Sequence, residues 1–180
     1  MKYFRRIKSG VDPKPFLDEI ASLAIPLRGL RKSAIGDRKR RDVQESRWTT
    51  GSKRYPKARR FLKDFAREQG ALLSRAKIVC LPAGKRVYPH IDRGDYYAVR
   101  GRYHLVLRST KGSWLKAGDE EVRMREGELW WFDNKQLHEA FNDGDEDRIH
   151  MIFDLLPRER AHEVFGENVR LGRFTVRAGV

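Results

Sequence analysis

The chain of 180 residues carries 39 Lys and Arg against 25 Asp and Glu, a formal net charge of +14. Its nine Phe, six Tyr and four Trp supply enough apolar surface for a packed core and exclude a wholly disordered chain. No stretch approaches the ~20 apolar residues of a membrane span, and the single cysteine, Cys80, excludes an internal disulfide framework.

The start, MKYFRRIKSG, lacks the apolar segment of a secretory signal, so a cytoplasmic address is the expectation. The positive charge is unevenly spread. Residues 1–75 hold 21 Lys and Arg against 8 Asp and Glu, whereas residues 76–180 hold 18 against 17. The densest run is RGLRKSAIGDRKRR. It suits a polyanion such as nucleic acid or an acidic protein, or else a solvated surface. Zinc-finger spacing and interleaved aromatics are missing, which favours the solvated surface.

VDPKPFLDEIASL predicts a first helix, with Asp12 as N-cap, Pro13 at the first helical position, and Phe16, Ile20 and Leu23 on one face. Residues 28–54 lack periodicity and read as a long loop with at most one short element. YPKARRFLKDFAREQG predicts a second helix: Pro56 near its start, Ala58, Phe61, Leu62, Phe65 and Ala66 as its apolar stripe, Gly70 as its stop. From residue 75 the texture changes to eight short segments: AKIVCLP, KRVYPHI, RYHLVLR, SWLKAG, EVRMRE, ELWWFD, HEAFND and RIHMIFDLL. Rich in aliphatic and aromatic residues and punctuated by Gly, Asp and Asn, they predict eight strands of a small jelly roll. Cys80 should pack there as a small hydrophobe. RERAHEVFGENV reads as a last short helix.

The fold expected is therefore mainly β with flanking helices, a double-stranded β-helix of cupin-like type preceded by N-terminal helices. One domain spans 1–180: a basic helical portion at 1–74, the β core at 75–157, and a C-terminal helix and tail at 158–180.

Polar residues interrupt the apolar strands, and burying them is costly unless they have partners. In VYPHIDRGD, His90 and Asp92 are two residues apart, which on a strand turns both to one face. Arg102, His104 and Val106 share a face, as do Arg148 and His150. His138 follows LWWFDNKQL. Two imidazoles and a carboxylate on one side of an ion leave positions open for cosubstrate and oxygen, so His90, Asp92 and His138 suit non-heme Fe(II). Arg102 and Arg148 either snorkel to water or face inward, where a guanidinium clamps a carboxylate bidentately, as 2-oxoglutarate would require. His150 and His162 are expected to be ordinary histidines bonded to backbone, without a role.

Taken together, residues 87–156 resemble the aspartyl/asparaginyl β-hydroxylase family of Fe(II)- and 2-oxoglutarate-dependent dioxygenases. The matching pieces are PHID at 89–92, RYHLVL at 102–107 and GELWWFDNKQLHEAFNDGDEDRIHMIFD at 127–154. The resemblance implies a double-stranded β-helix in which His90 and His138 bind iron and Arg148, ten residues beyond His138, binds the distal carboxylate of 2-oxoglutarate. It also implies that Arg102 and His104 form the R-x-H pair that holds the cosubstrate. Asp92 departs from the mammalian member, which has glycine there, so a complete two-histidine-one-carboxylate triad becomes possible. A cosubstrate-assisting serine of that member falls near Val79, so its contact is lost here or supplied elsewhere. The implied reaction couples decarboxylation of 2-oxoglutarate, giving succinate and CO2, to hydroxylation of an amino-acid side chain, in a protein or a free amino acid.

Two other classes compete. One is a non-catalytic β-sandwich that binds nucleic acid through its basic N-terminal part; it has no need of His90, Asp92, His138 and Arg148 on inward faces. The other is a cupin-like isomerase or hydrolase using zinc or manganese, which leaves Arg102 and Arg148 harder to explain.

Overall fold

The computed structural model describes residues 1–23, 29–33, 46–166, 168–171 and 174–177, the strands at 29–33, 168–171 and 174–177 by their backbone alone. Short runs rich in aliphatic and aromatic residues make the described residues strand more than helix. The strands are β1 (Phe4–Lys8), β2 (Gly29–Ser33), β3 (Ser46–Trp48), β4 (Ala71–Leu81), β5 (Lys85–His90) and β6 (Gly101–Arg108), followed by β7 (Ser113–Ala117), β8 (Glu120–Val122), β9 (Leu129–Phe132), β10 (His138–Asn142) and β11 (Arg148–Pro157). A seven-stranded antiparallel sheet runs β1-β9-β6-β11-β4-β2-β3, and a four-stranded one runs β5-β10-β7-β8. The eight strands expected after residue 75 are β4 to β11.

Two cores lie on opposite faces of the larger sheet. Its outer face is covered by α1 (Lys14–Ala21) and α2 (Pro56–Glu68). Phe16, Ala58, Leu62, Phe65 and Ala66 from these helices meet Ala76, Ile78, Leu105, Leu107, Met151 and Phe153. Its inner face packs on the smaller sheet through Leu81, Val106, Leu115, Ala117, Trp130, Phe132 and Ala140. The alternation along β6 explains the division: Leu105 and Leu107 point to the helices, while Arg102, His104 and Val106 point between the sheets. That inner space holds the candidate site.

The second helix follows its predicted stripe, and Gly70, at φ +57°, ends it in the left-handed conformation that only glycine adopts freely. In the first helix Pro13 rather than Asp12 is the N-cap; Asp12 still accepts a hydrogen bond through Oδ1 from the Lys14 N–H at 2.9 Å. The N-terminal portion expected to be helical also supplies β1, which pairs with β9, and β2 and β3, which extend the sheet beyond β4. Of the dense basic run, the segment at 28 and 34–41 lies outside the described residues.

Gly127, which precedes β9, shows how β1 and α1 are joined to the core. Its φ is +75°, a Cβ there would lie 2.8 Å from the Val11 carbonyl oxygen, and its own carbonyl accepts from the Val11 N–H at 3.0 Å. Where a helix and tail were expected, the end of the chain forms a one-turn helix, α3 being the turn at Asp95–Ala98 and α4 this one at His162–Phe165, and a hairpin of β12 (Asn168–Leu171) and β13 (Phe174–Arg177). Cys80 is exposed rather than packed, its Sγ donating to Asp147 Oδ2 at 3.4 Å. It stands one residue from the end of β4, and an apolar run does not reveal where the covering layer stops.

Candidate active site

Antiparallel pairing of β5 with β10 places His90 directly opposite His138, with ring centroids 4.1 Å apart. Each imidazole is anchored by Nδ1 to a backbone carbonyl two residues back: His90 to Tyr88 at 2.8 Å, His138 to Gln136 at 2.9 Å. A carbonyl only accepts, so each Nδ1 carries a proton, and in the neutral ring each Nε2 keeps a lone pair. Burial pushes the His138 imidazole below the ordinary histidine value, which favours this neutral form.

Asp92 reaches the same place by a different route from the one its spacing suggested. The strand ends at His90, and Asp92 lies in the following loop, tied down by its N–H donating to the Asn134 carbonyl at 3.1 Å. Asn134 Nδ2 donates to Asp92 Oδ2 at 2.8 Å, and Arg102 Nη1 donates to the same oxygen. One ligand atom from each of His90, Asp92 and His138 lies within 4.8 Å of the others. A nitrogen–nitrogen–oxygen set with positioned imidazoles fits a divalent transition metal, Fe(II) among them.

Arg102 faces inward, but its guanidinium is engaged by carboxylates. Nε and Nη2 fork onto Asp154 at 2.9 and 3.1 Å, while Nη1 holds Asp92. Asp154 is buried and also accepts from the Tyr96 hydroxyl at 3.1 Å. The result is an ion-paired chain, Asp154–Arg102–Asp92, that supports the acid of the cluster from behind. Neither Asn134 nor Asp154 was singled out from the sequence; the signal available was a polar residue closing an apolar run, in LWWFDN and in RIHMIFD.

Deeper between the sheets, a line of rings leads from the cluster. His138 meets Phe132 (5.2 Å between centroids), Phe132 meets His104 (5.1 Å), and His104 meets His150 (5.4 Å). Arg148 opens β11 beside them, only 4% exposed. Its Nε has no hydrogen-bond partner, and among the described residues no carboxylate pairs with it. Burial lowers its pKa to about 10, because desolvation penalises the charged form. His104 and His150 are both driven far below the ordinary histidine value by burial, with the Arg148 charge adding to it, so both are neutral.

His150 departs from expectation. It is 1% exposed, its Nδ1 lies 3.2 Å from His104 Nδ1, and its Nε2 has no partner. It stands directly across from Val79, the position at which the family resemblance left a polar contact missing. His162 is an exposed residue of α4.

Two jelly-roll sheets, with a His-Asp-His cluster at their open edge and a buried arginine between them, have the architecture of the double-stranded β-helix oxygenases. Solved structures share that fold. The chain is similar to an oxidoreductase of the 2OG-Fe(II) oxygenase family from Burkholderia pseudomallei at 12% identity and TM-score 0.58, covering 81% of this chain and 78% of that one. It is similar to the viral collagen prolyl hydroxylase of Paramecium bursaria Chlorella virus-1 at 11% identity and TM-score 0.54, covering 85% and 95%. A third, HygX from Streptomyces hygroscopicus with nickel and 2-oxoglutarate bound, is 13% identical with TM-score 0.54, covering 86% and 82%. No curated protein matches by sequence. The sequence model of the aspartyl/asparaginyl beta-hydroxylases, however, matches residues 41–157. The chain belongs to that family and is an Fe(II)- and 2-oxoglutarate-dependent dioxygenase, a hydroxylase. The match begins well before residue 87, so α2 and β4 belong to the shared unit.

Proposed function

We propose that this protein hydroxylates an amino-acid side chain, in a polypeptide or a free amino acid, with His90, Asp92 and His138 holding the iron and Arg148 holding 2-oxoglutarate. The observation that carries the reading is Arg148. A guanidinium buried without a carboxylate partner is costly, and a ligand carboxylate would offset that cost. A fork of N–H donors matches a carboxylate bidentately.

In this reading the space between the sheets is a slot for the cosubstrate with two ends. At the outer end, the His90 and His138 Nε2 atoms and the Asp92 carboxylate present three donors to the metal. Arg102 acts through Asp92 there, and Asn134 fixes the loop that carries it. At the inner end Arg148 pairs with the distal carboxylate of the cosubstrate, with neutral His104 alongside. When bound, iron supplies the oxygen chemistry and 2-oxoglutarate supplies two electrons, leaving as succinate and CO2. The protein binds, orients and keeps the slot dry through Phe132, Val106 and Leu115. Val87 and Tyr88, on the strand that carries His90, are exposed apolar and aromatic side chains, which suits contact with the carbon skeleton of a substrate.

The test is succinate release with Fe(II), 2-oxoglutarate and a panel of amino acids and peptides, together with direct binding. His138→Ala should abolish stoichiometric metal binding under anaerobic conditions, while Arg148→Leu should weaken 2-oxoglutarate binding by at least tenfold and leave metal affinity unchanged. Equal 2-oxoglutarate affinity in Arg148→Leu and the parent would refute the assignment.

A further inference from the structure

Arg148 is not alone at the inner end of the slot. Across the larger sheet, Val79 of β4, His150 of β11 and Val106 of β6 form one row of cross-strand neighbours. Val106 belongs to the core between the sheets, so the row faces the inner space. Its two flanking members are apolar. His150 is the one polar side chain of the row, and it is almost wholly buried.

A buried imidazole normally satisfies both ring nitrogens. His150 satisfies one. Its Nδ1 faces His104 Nδ1 at 3.2 Å, and its Nε2 has no partner. Two neutral imidazoles meeting through Nδ1 must share a single proton: one nitrogen donates and the other accepts. If His104 donates, His150 Nδ1 is the acceptor and its proton sits on Nε2, the open atom. Arg148, two residues away on the same face of β11, has its own Nε unpartnered. With that tautomer, two buried donors on one face of β11, His150 Nε2 and Arg148 Nε, have no acceptor among the described residues.

We propose that His150 is a second binding residue for the distal carboxylate of 2-oxoglutarate, its Nε2–H donating to one carboxylate oxygen while Arg148 pairs with the group, and that His104 fixes the tautomer. This rests on the reading of Arg148 given above. His150 neutral is the form required: burial and the neighbouring guanidinium keep the second proton off, so the imidazole donates without adding a charge that must be buried. The arrangement also accounts for a valine at position 79. A side chain directly opposite His150 on the same face needs no polar group when the imidazole supplies the donor.

The experiment compares two ligands on protein loaded with Mn(II) under anaerobic conditions: 2-oxoglutarate, and 2-oxobutyrate, which keeps the 2-oxo acid but lacks the distal carboxylate. His150→Leu should weaken 2-oxoglutarate at least tenfold and leave 2-oxobutyrate within twofold, a hydrogen bond to a charged group being the interaction lost. His150→Gln, which keeps a donor and an acceptor, should recover most of the affinity and guards against a misfolded leucine variant. In Zn(II)-loaded protein, 2-oxoglutarate should turn the His150 Nε2 proton into a slowly exchanging one in nitrogen-detected spectra. An equal loss for both ligands would mean a structural role only, and no loss for 2-oxoglutarate would overturn the proposal outright. If Arg148→Leu loses affinity while both His150 variants keep it, the second donor alone is refuted. If Arg148→Leu is silent as well, the reading of the slot falls with it.

Discussion

At the scale of single residues, the site depends on polar groups held by other polar groups. Asp154 is the furthest back of these: it touches no metal ligand, yet it holds Arg102 by two hydrogen bonds, and Arg102 holds Asp92. Asp154→Asn offers one acceptor oxygen instead of two, so Arg102 is freed to shift and Asp92 keeps Asn134 but loses its guanidinium support. Mn(II) affinity should fall about 10- to 100-fold, the usual effect of removing an outer partner of a metal ligand; an unchanged titration would remove Asp154 from the site's support. Glu128 is a second buried carboxylate, with a purely structural duty. Burial alone would raise its pKa, but the Arg125 N–H, the Trp130 indole and Arg6 bind the ionised form and bring it below the ordinary value. A depressed folded-state pKa stabilises the protein above the ordinary carboxylate range, and that contribution is lost as pH falls through the range. Urea unfolding of Glu128→Gln against the parent should therefore differ near neutrality and converge in acid.

At the scale of elements, the larger sheet separates stability from chemistry. Its outer face packs under α2, where Leu62 is fully buried and Phe65 meets Phe153 edge-on with centroids 5.7 Å apart. Leu62→Ala should destabilise the fold by ~2–5 kcal/mol in urea unfolding. Metal affinity of the folded fraction should not change, because the helix lies on the face of the sheet opposite the cluster. The inner face carries the site, and the strand registers slip beside it. One irregularity falls between His138 and Ala140 in the β10–β5 pair, and another between Phe153 and Leu155, at Asp154, in the β11–β4 pair. Bulges of this kind re-aim side chains next to active sites. The periodicity of ELWWFD, HEAFND and RIHMIFDLL made the strands legible, because alternation is a local property. The bulges were not legible, because register depends on the partner strand.

At the scale of the whole molecule, two apolar cores pack on the two faces of the larger sheet, and no helix among the described residues is long and apolar enough to cross a membrane. Removal of metal by a chelator should leave the circular dichroism spectrum of the folded protein intact. Adding 2-oxoglutarate to metal-loaded protein at about a hundred times its Kd should stabilise it by ~2.7 kcal/mol, read as a rise in Tm. Loss of folded structure on chelation would show that the cluster is part of the scaffold instead. Part of the large positive charge of the N-terminal portion lies on aromatic faces: Arg5 over Trp131, Arg6 over Trp130, Lys8 over Phe65 and Arg59 over Trp48. Those side chains cover the molecule's own rings as well as meeting solvent.

The sequence by itself determined the eight strands of the jelly roll and the apolar stripe of α2, since each follows from periodicity, while for Arg148 it left the choice between water and the interior open. Tertiary structure alone decided the rest. Asp92 joins the histidines from a loop rather than along a strand, Arg102 finds Asp154 across 52 residues of chain, and His150 is left with one open nitrogen. The physical reason is the same in all three cases: a side chain's partners are set by which strands lie side by side, and spacing along one strand carries no record of its neighbour.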